Sequence, residues 1–195
     1  MGLARYKSYI KGGNYHIYNR GVGGQIVFSD DEDRLVYIKR LRKYRDQFDV
    51  GLLCYCLMPN HIHLLVRQNT EVPAYKFVQS LHTSYGIYFN KKNNRVGTLW
   101  QDRFKQNNVY GAEDLLYLSF YIHLNPLADG LIKKLEEYQW SSYLDFVGYR
   151  GGTLCDKEAV LTGLTGQQYQ QALCEAKDEI VTRKDFRREN KNIRT

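Results

Sequence analysis

His61 and His63 flank a single residue, Ile62, in the apolar run that follows Pro59-Asn60. Side chains alternate faces along a strand, so both imidazoles project from one side while Ile62, Leu64 and Val66 project from the other. Two nitrogen donors on one rigid strand make a metal clamp. A turn histidine followed by an exposed strand histidine has the same spacing, and spacing by itself does not separate the two readings. Farther along, Tyr117, Tyr121 and Asn125 recur every four residues and share one stripe of a helix, so a phenol and a carboxamide can face one site. The chain holds 17 tyrosines, and an aromatic stripe packed on a sheet is the competing reading.

Residues 14–20 alternate as a strand and are broken by Gly21, Gly23 and Gly24. Ser29 and Glu32 have the spacing of a capping box, and Leu35, Ile38, Leu41, Tyr44 and Phe48 follow at helical spacing, which predicts a helix over about 30–47. Residues 50–58 and 61–67 read as two strands around a tight turn. Pro73 opens a second helix with Phe77, Leu81, Tyr85 and Tyr88 as its apolar stripe, ended by Asn93-Asn94 and Gly97. A fourth strand over about 104–110 leads to a helix over about 112–125, started by Glu113-Asp114 and stopped by Pro126. This order predicts an α+β fold: a ferredoxin-like (RRM-like) antiparallel sheet with helices on one face, an added helix carrying Tyr121, and a small helical C-terminal extension. The expected division is a domain over 1–145 and an extension with a basic tail over 146–195.

The 195 residues are 43% hydrophobic and 25% charged, which fits one domain with an appendage, and 14% aromatic content with 3 prolines argues against a disordered chain. No stretch approaches the roughly 18 apolar residues of a spanning helix, and residues 1–5 lack the apolar centre of a signal peptide. A cytoplasmic protein without membrane contact is the expectation. The net charge of +7 favours a polyanionic partner, and it is uneven: Arg183, Lys184, Arg187, Arg188, Lys191 and Arg194 against Asp185 and Glu189 place +4 of it in the last fifteen residues. That tail reads as a solvated, frayed terminus, with a nucleic-acid arm as the alternative. Cys54, Cys56, Cys155 and Cys174 form no disulfide or zinc pattern and read as small hydrophobes and free thiols.

Five segments occur in a telling order: Tyr15-His16-Ile17-Tyr18-Asn19-Arg20-Gly21, Leu57-Met58-Pro59-Asn60-His61-Ile62-His63-Leu64-Leu65, Gly97-Thr98-Leu99-Trp100-Gln101-Asp102-Arg103-Phe104, Tyr121-Ile122-His123-Leu124-Asn125-Pro126 and Trp140-Ser141-Ser142-Tyr143. With them the chain resembles the single-tyrosine HUH transposases, especially the REP-associated tyrosine transposases, over roughly residues 10–145. The resemblance implies that His61, His63 and Asn125 bind a divalent metal, Mg²⁺ or Mn²⁺, and that Tyr121 is the nucleophile. His123 points to another side of a regular helix and is not a first-choice ligand. It further implies cleavage of single-stranded DNA bearing hairpin or palindromic elements through a 5′-phosphotyrosine, followed by strand transfer. A phenol with a pKa near 10 needs help to lose its proton, and no dedicated base stands out in the sequence.

Lys91, Lys92, Arg95, Arg103 and Lys105, interleaved with aromatics from Tyr85 to Phe104, are the expected DNA contacts, with Trp100 and Phe104 assigned mainly to packing. Dimers that share active sites and monomers that use their own tyrosine both occur in the family, so a homodimer stays open. The rival readings are a non-catalytic RRM-like nucleic-acid-binding protein and an HUH replication initiator. An aromatic segment on a central strand would mark the first, and His61-Ile62-His63 stands there instead.

Overall fold

The computed structural model describes residues 9–192, with side chains through Thr182. The basic side chains from Arg183 onward lie outside the described residues, and with them both readings of the tail, the solvated terminus and the alternative nucleic-acid arm. Four strands, β1 (Asn14–Arg20), β2 (Val50–Met58), β3 (His61–Gln68) and β4 (Lys105–Val109), form one antiparallel sheet in the order β2-β3-β1-β4. Helices α1 (Asp31–Phe48) and α2 (Ala74–Lys92) cover one face, and α3 (Gly111–Ala128) crosses the other. Beyond α3 come the short helices α4 (Tyr143–Phe146) and α5 (Glu158–Leu161) and the long α6 (Gly166–Asn192). The sheet order and the two covering helices are those of the expected ferredoxin-like fold.

Alternation in β1 and β3 sends Tyr15, Ile17, Ile62, Leu64 and Val66 toward Tyr37, Leu41, Phe77, Leu81 and Tyr85 of α1 and α2. The stripe of α1 is therefore centred on Tyr37 and Leu41, and Leu35, expected to face inward, is 59% exposed. Its start also differs: Asp30 is the N-cap, accepting from Asp33 N, while Asp33 Oδ2 accepts from Ser29 N at 2.7 Å. An aspartate at each position performs the reciprocal capping expected of Ser29 and Glu32.

β2 is apolar almost throughout because both of its faces are covered. A register shift between Leu52 and Cys54 lets Leu53 and Cys54 both join the second face, where they pack with Cys56, Met58, Ile122, Leu124, Tyr143, Phe146, Tyr169 and Leu173. The segments after α3 thus share a core with the sheet. Residues 140–142 run along the outer edge of β2, with Trp140 O accepting from Leu57 N and Ser142 N donating to Tyr55 O. That edge is closed to further pairing.

Candidate active site

Antiparallel register decides which side chains are neighbours across the sheet. On the face under α3, one row reads Cys56, His63, Tyr18 and Lys105, and the next reads Met58, His61 and Arg20. His61 and His63 stand with ring centroids 5.1 Å apart and planes at 88°. His61 Nδ1 is 2.7 Å from Asn60 Oδ1. An amide oxygen only accepts, so Nδ1 carries the hydrogen and Nε2 keeps its lone pair. His63 Nδ1 is 2.9 Å from Nε2 of His16, a buried residue whose pKa burial lowers to about 4, so its ring is neutral at pH 7. With His16 as the acceptor, His63 Nδ1 is the donor of this bond. Each member of the pair is thus oriented from behind by a neighbour.

α3 reaches this face because only Tyr110 separates it from β4 and Gly111 reverses the chain at φ +77°, a backbone state that favours glycine. It presents Tyr121, half-buried, edge-on to His63 at 5.7 Å and 87° and to His16 at 6.1 Å and 77°. Tyr117 lies one turn earlier at the surface, and Asn125 lies one turn later, fully buried. The structure therefore brings His61, His63 and Tyr121 to one place within a single chain.

One expectation about the end of α3 is corrected. The helix does not stop before Pro126 but continues to Ala128. Pro126 has no N–H for the carbonyl of Ile122, and Asn125 Nδ2 takes that place, donating to Ile122 O at 3.3 Å and Tyr121 O at 2.7 Å. The amide of Asn125 is thereby committed to the helix, and Oδ1 is the atom it could offer an ion. Among the described residues, no group of three or more His, Cys, Asp or Glu is placed to hold a metal. Two oriented imidazole nitrogens with one carboxamide oxygen suit a hexacoordinate divalent ion that keeps open positions for water and phosphate oxygens. His123 is turned away from the site and buried, and desolvation, with a smaller contribution from the charge of Arg150, lowers its pKa to about 3.

The family model of IS200-like transposases matches residues 10–125, through the histidine pair and the tyrosine helix. The chain belongs to the IS200-like transposases. It is 26% identical over 109 residues to a protein of Haemophilus influenzae described as a REP-associated tyrosine transposase, a match covering 50% of this chain and 61% of that protein. The chain thus spans less than two thirds of that relative. A solved structure of a REP-associated tyrosine transposase bound to a REP hairpin shares the fold, with a TM-score of 0.57 at 18% identity over 77% of this chain and 92% of that one.

The five cations expected to contact DNA fall into three groups. Lys105 is in the row of His63 and Tyr18, and with Arg103 it lines a groove of about 1610 Å³ between α2, the Gly97–Phe104 segment and the open edge of β4. Lys91 is exposed at the end of α2, and Arg95 donates to Gln25 Oε1 at 2.7 Å while lying over Phe89. Lys92 is a correction: it is bound to Asp30, Glu32 and the fully buried Asp33 at 2.8–3.0 Å, with Asp30 foremost in raising its pKa. Its charge is used inside the fold. Trp100 is buried on His82, as its assignment to packing anticipated.

Sequence reasoning gave no role to His16 or Arg20, although both stand in the first of the five segments. Their alternation with Tyr15 and Ile17 was the available signal. What it lacked was the pairing of β1 with β3, which places Arg20 opposite His61. The groove adds Asn19, Gln79, Asn90, Gln106, Asn107 and Asn108, a concentration of carboxamides contributed by three separate segments.

Proposed function

We propose that this transposase nicks and rejoins single-stranded DNA beside a hairpin, with Tyr121 as the nucleophile and a 5′-phosphotyrosine as the intermediate. The observation that carries this reading is the ring of Tyr121 edge-on to His63, which stands beside His61 on the same face of the sheet. In the step itself Tyr121 Oη forms a bond to phosphorus as the bond from phosphorus to O3′ breaks; the phenol proton is lost and the departing oxygen gains one. One phosphate ester replaces another, so a new 3′-OH can reverse the step without ATP. His61 and His63 would hold the metal, with Asn125 as the third donor. Bound there, Mg²⁺ or Mn²⁺ supplies polarisation of the phosphate and offsets the charge that develops on its oxygens.

Arg20 and Lys105 flank the histidines on the same face and are suited to the neighbouring phosphates. Unpaired bases beside the hairpin fit the groove, where aromatic rings can stack them and carboxamides can pair with their edges; Arg103 lines it. The hairpin bound by the structural relative supports this substrate class. A second copy is not needed to complete the site, because Tyr121 faces the histidines of its own chain.

The test is incubation of labelled hairpin-bearing single strands with Mn²⁺, read on a denaturing gel. Wild type is expected to give a covalent protein–DNA band, and neither Tyr121→Phe nor the double change His61→Ala with His63→Ala is expected to give one. An adduct with Tyr121→Phe removes Tyr121 as the nucleophile; tight binding by wild type to several hairpins without any adduct favours the non-catalytic binder.

A further inference from the structure

Two of the five sequence segments meet in the core, behind the active site. His123 belongs to the segment that begins with Tyr121, and Ser142 belongs to Trp140-Ser141-Ser142-Tyr143. His123 Nε2 is 2.7 Å from Ser142 Oγ, and Nδ1 is 2.7 Å from Tyr169 Oη of α6. Ser142 Oγ accepts from Tyr55 N of β2 at 2.9 Å, and Tyr169 Oη is 2.9 Å from Ser119 Oγ of α3, which donates to Leu116 O at 2.7 Å.

Hydrogen counting on the shorter contacts gives this set one direction. Ser119 has a single hydroxyl hydrogen, and the 2.7 Å contact assigns it to Leu116 O. With Tyr169 donating to Ser119, His123 Nδ1–H donates to Tyr169 and Nε2 accepts from Ser142, whose hydroxyl lies farther, at 3.3 Å, from Tyr55 O. The chain runs from the β2 amide through Ser142, His123, Tyr169 and Ser119 back to a carbonyl of α3, with every member both giving and receiving. Such a run is cooperative and tightly oriented.

We infer that His123 is a positioning residue for Tyr121, holding the rotation of α3 about its own axis by bonds to β2 through Ser142 and to α6 through Tyr169. The inference rests on Tyr121 being the nucleophile. Successive helical residues are turned by about 100°, so His123 lies on the side of α3 roughly opposite Tyr121. Apolar packing against Phe146 and Tyr143 resists separation of the helix from the core but resists rotation only weakly, whereas two directional bonds on opposite ring nitrogens resist both. A rotation of about 10° moves a phenol oxygen held roughly 8 Å from the axis by about 1.4 Å. Displacements of about 1 Å can cost on the order of 100-fold in rate. The C-terminal segments thereby acquire a role: they supply both anchors.

The experiment compares the full-length chain with Tyr169→Phe, Ser142→Ala and Ser142→Thr. It measures hairpin affinity, and the single-turnover rate of adduct formation at saturating DNA with Mn²⁺, at a temperature where each variant is folded by circular dichroism. Tyr169→Phe removes one oxygen and keeps the ring. The expected result is a rate reduced about tenfold in Tyr169→Phe and Ser142→Ala with affinity changed less than about twofold, and recovery in Ser142→Thr, which restores the hydroxyl. Wild-type rates in both deletions, whatever their melting temperatures, overturn the inference and leave the network a purely structural one. A wild type that forms no adduct at Tyr121 overturns the nucleophile assignment, and the positioning role falls with it.

Discussion

In the proposed mechanism His16 acts through one hydrogen bond to His63, and its effect is separable from that of the ligands themselves. Replacing it with Phe removes the acceptor behind His63 Nδ1, and Mn²⁺ affinity is expected to fall about tenfold, the lower end for loss of a ligand-orienting partner. His16→Gln keeps an acceptor and is expected to retain more affinity than Phe. Titration of the DNA-free protein followed by Mn²⁺ electron paramagnetic resonance measures this without turnover; equal affinities for wild type and His16→Phe would dismiss the orienting role. Cations divide in the same way. Lys105→Ala is expected to weaken hairpin binding severalfold with an unchanged urea midpoint, while Lys92→Ala lowers the midpoint and leaves binding unchanged, because Lys92 serves Asp30, Glu32 and Asp33. Binding isotherms beside denaturation curves for the two variants check the division, and a Lys92→Ala protein deficient only in binding contradicts it.

At the scale of the element, α3 carries both the proposed nucleophile and a proline, and Asn125 reconciles them. Its amide nitrogen serves carbonyls of the last turns, and in the proposed mechanism its oxygen would coordinate, so the two atoms have different duties. Asn125→Asp exchanges the donor for a second oxygen. The expected outcome is a loss of about 1–2 kcal/mol of stability with Mn²⁺ binding retained, whereas Asn125→Ala loses both. Thermal melts paired with metal titrations distinguish them, and retention of Mn²⁺ affinity in Asn125→Ala would remove Asn125 from the ligand set. Spacing alone placed Tyr117, Tyr121 and Asn125 on one stripe, and that periodicity is realised in α3. The stop at Pro126 was misread because a proline costs a helix one hydrogen bond, and a neighbouring side chain can supply a replacement that no local propensity rule anticipates.

Over the whole molecule, two cores on opposite faces of one sheet bury histidines that have no charged partner to stabilise a proton. His82, stacked on Trp100 at 4.4 Å, and His123 both have pKa values lowered to about 3, chiefly by desolvation. The unfolded chain binds protons at these positions below about pH 6.5, and the native state does not until about pH 3. Their contribution to stability is therefore complete above about pH 6.5 and is lost as the pH falls toward 3, at up to about 1.4 kcal/mol per unit for each ring. Urea midpoints are expected to fall steadily from pH 7 to pH 5, with a shallower fall in His82→Phe. A midpoint constant across that range would show that the native rings take up protons as readily as the unfolded chain.

The four strands, the three principal helices and the faces on which His61, His63 and Tyr121 stand were legible in the sequence because each is written in local periodicity: alternation for β1 and β3, a four-residue repeat for α3, and turn residues between; the roles expected of those three residues came from the family resemblance instead. Tertiary structure alone decided which side chains meet. His16 became the partner of His63 through strand pairing across 47 residues, and Lys92 was drawn from DNA to Asp33 across 59. His123 found Ser142 and Tyr169 only when α3, the edge of β2 and α6 closed on one another. Local spacing sets which way a side chain points on its own element, and the packing of distant elements sets what it finds there.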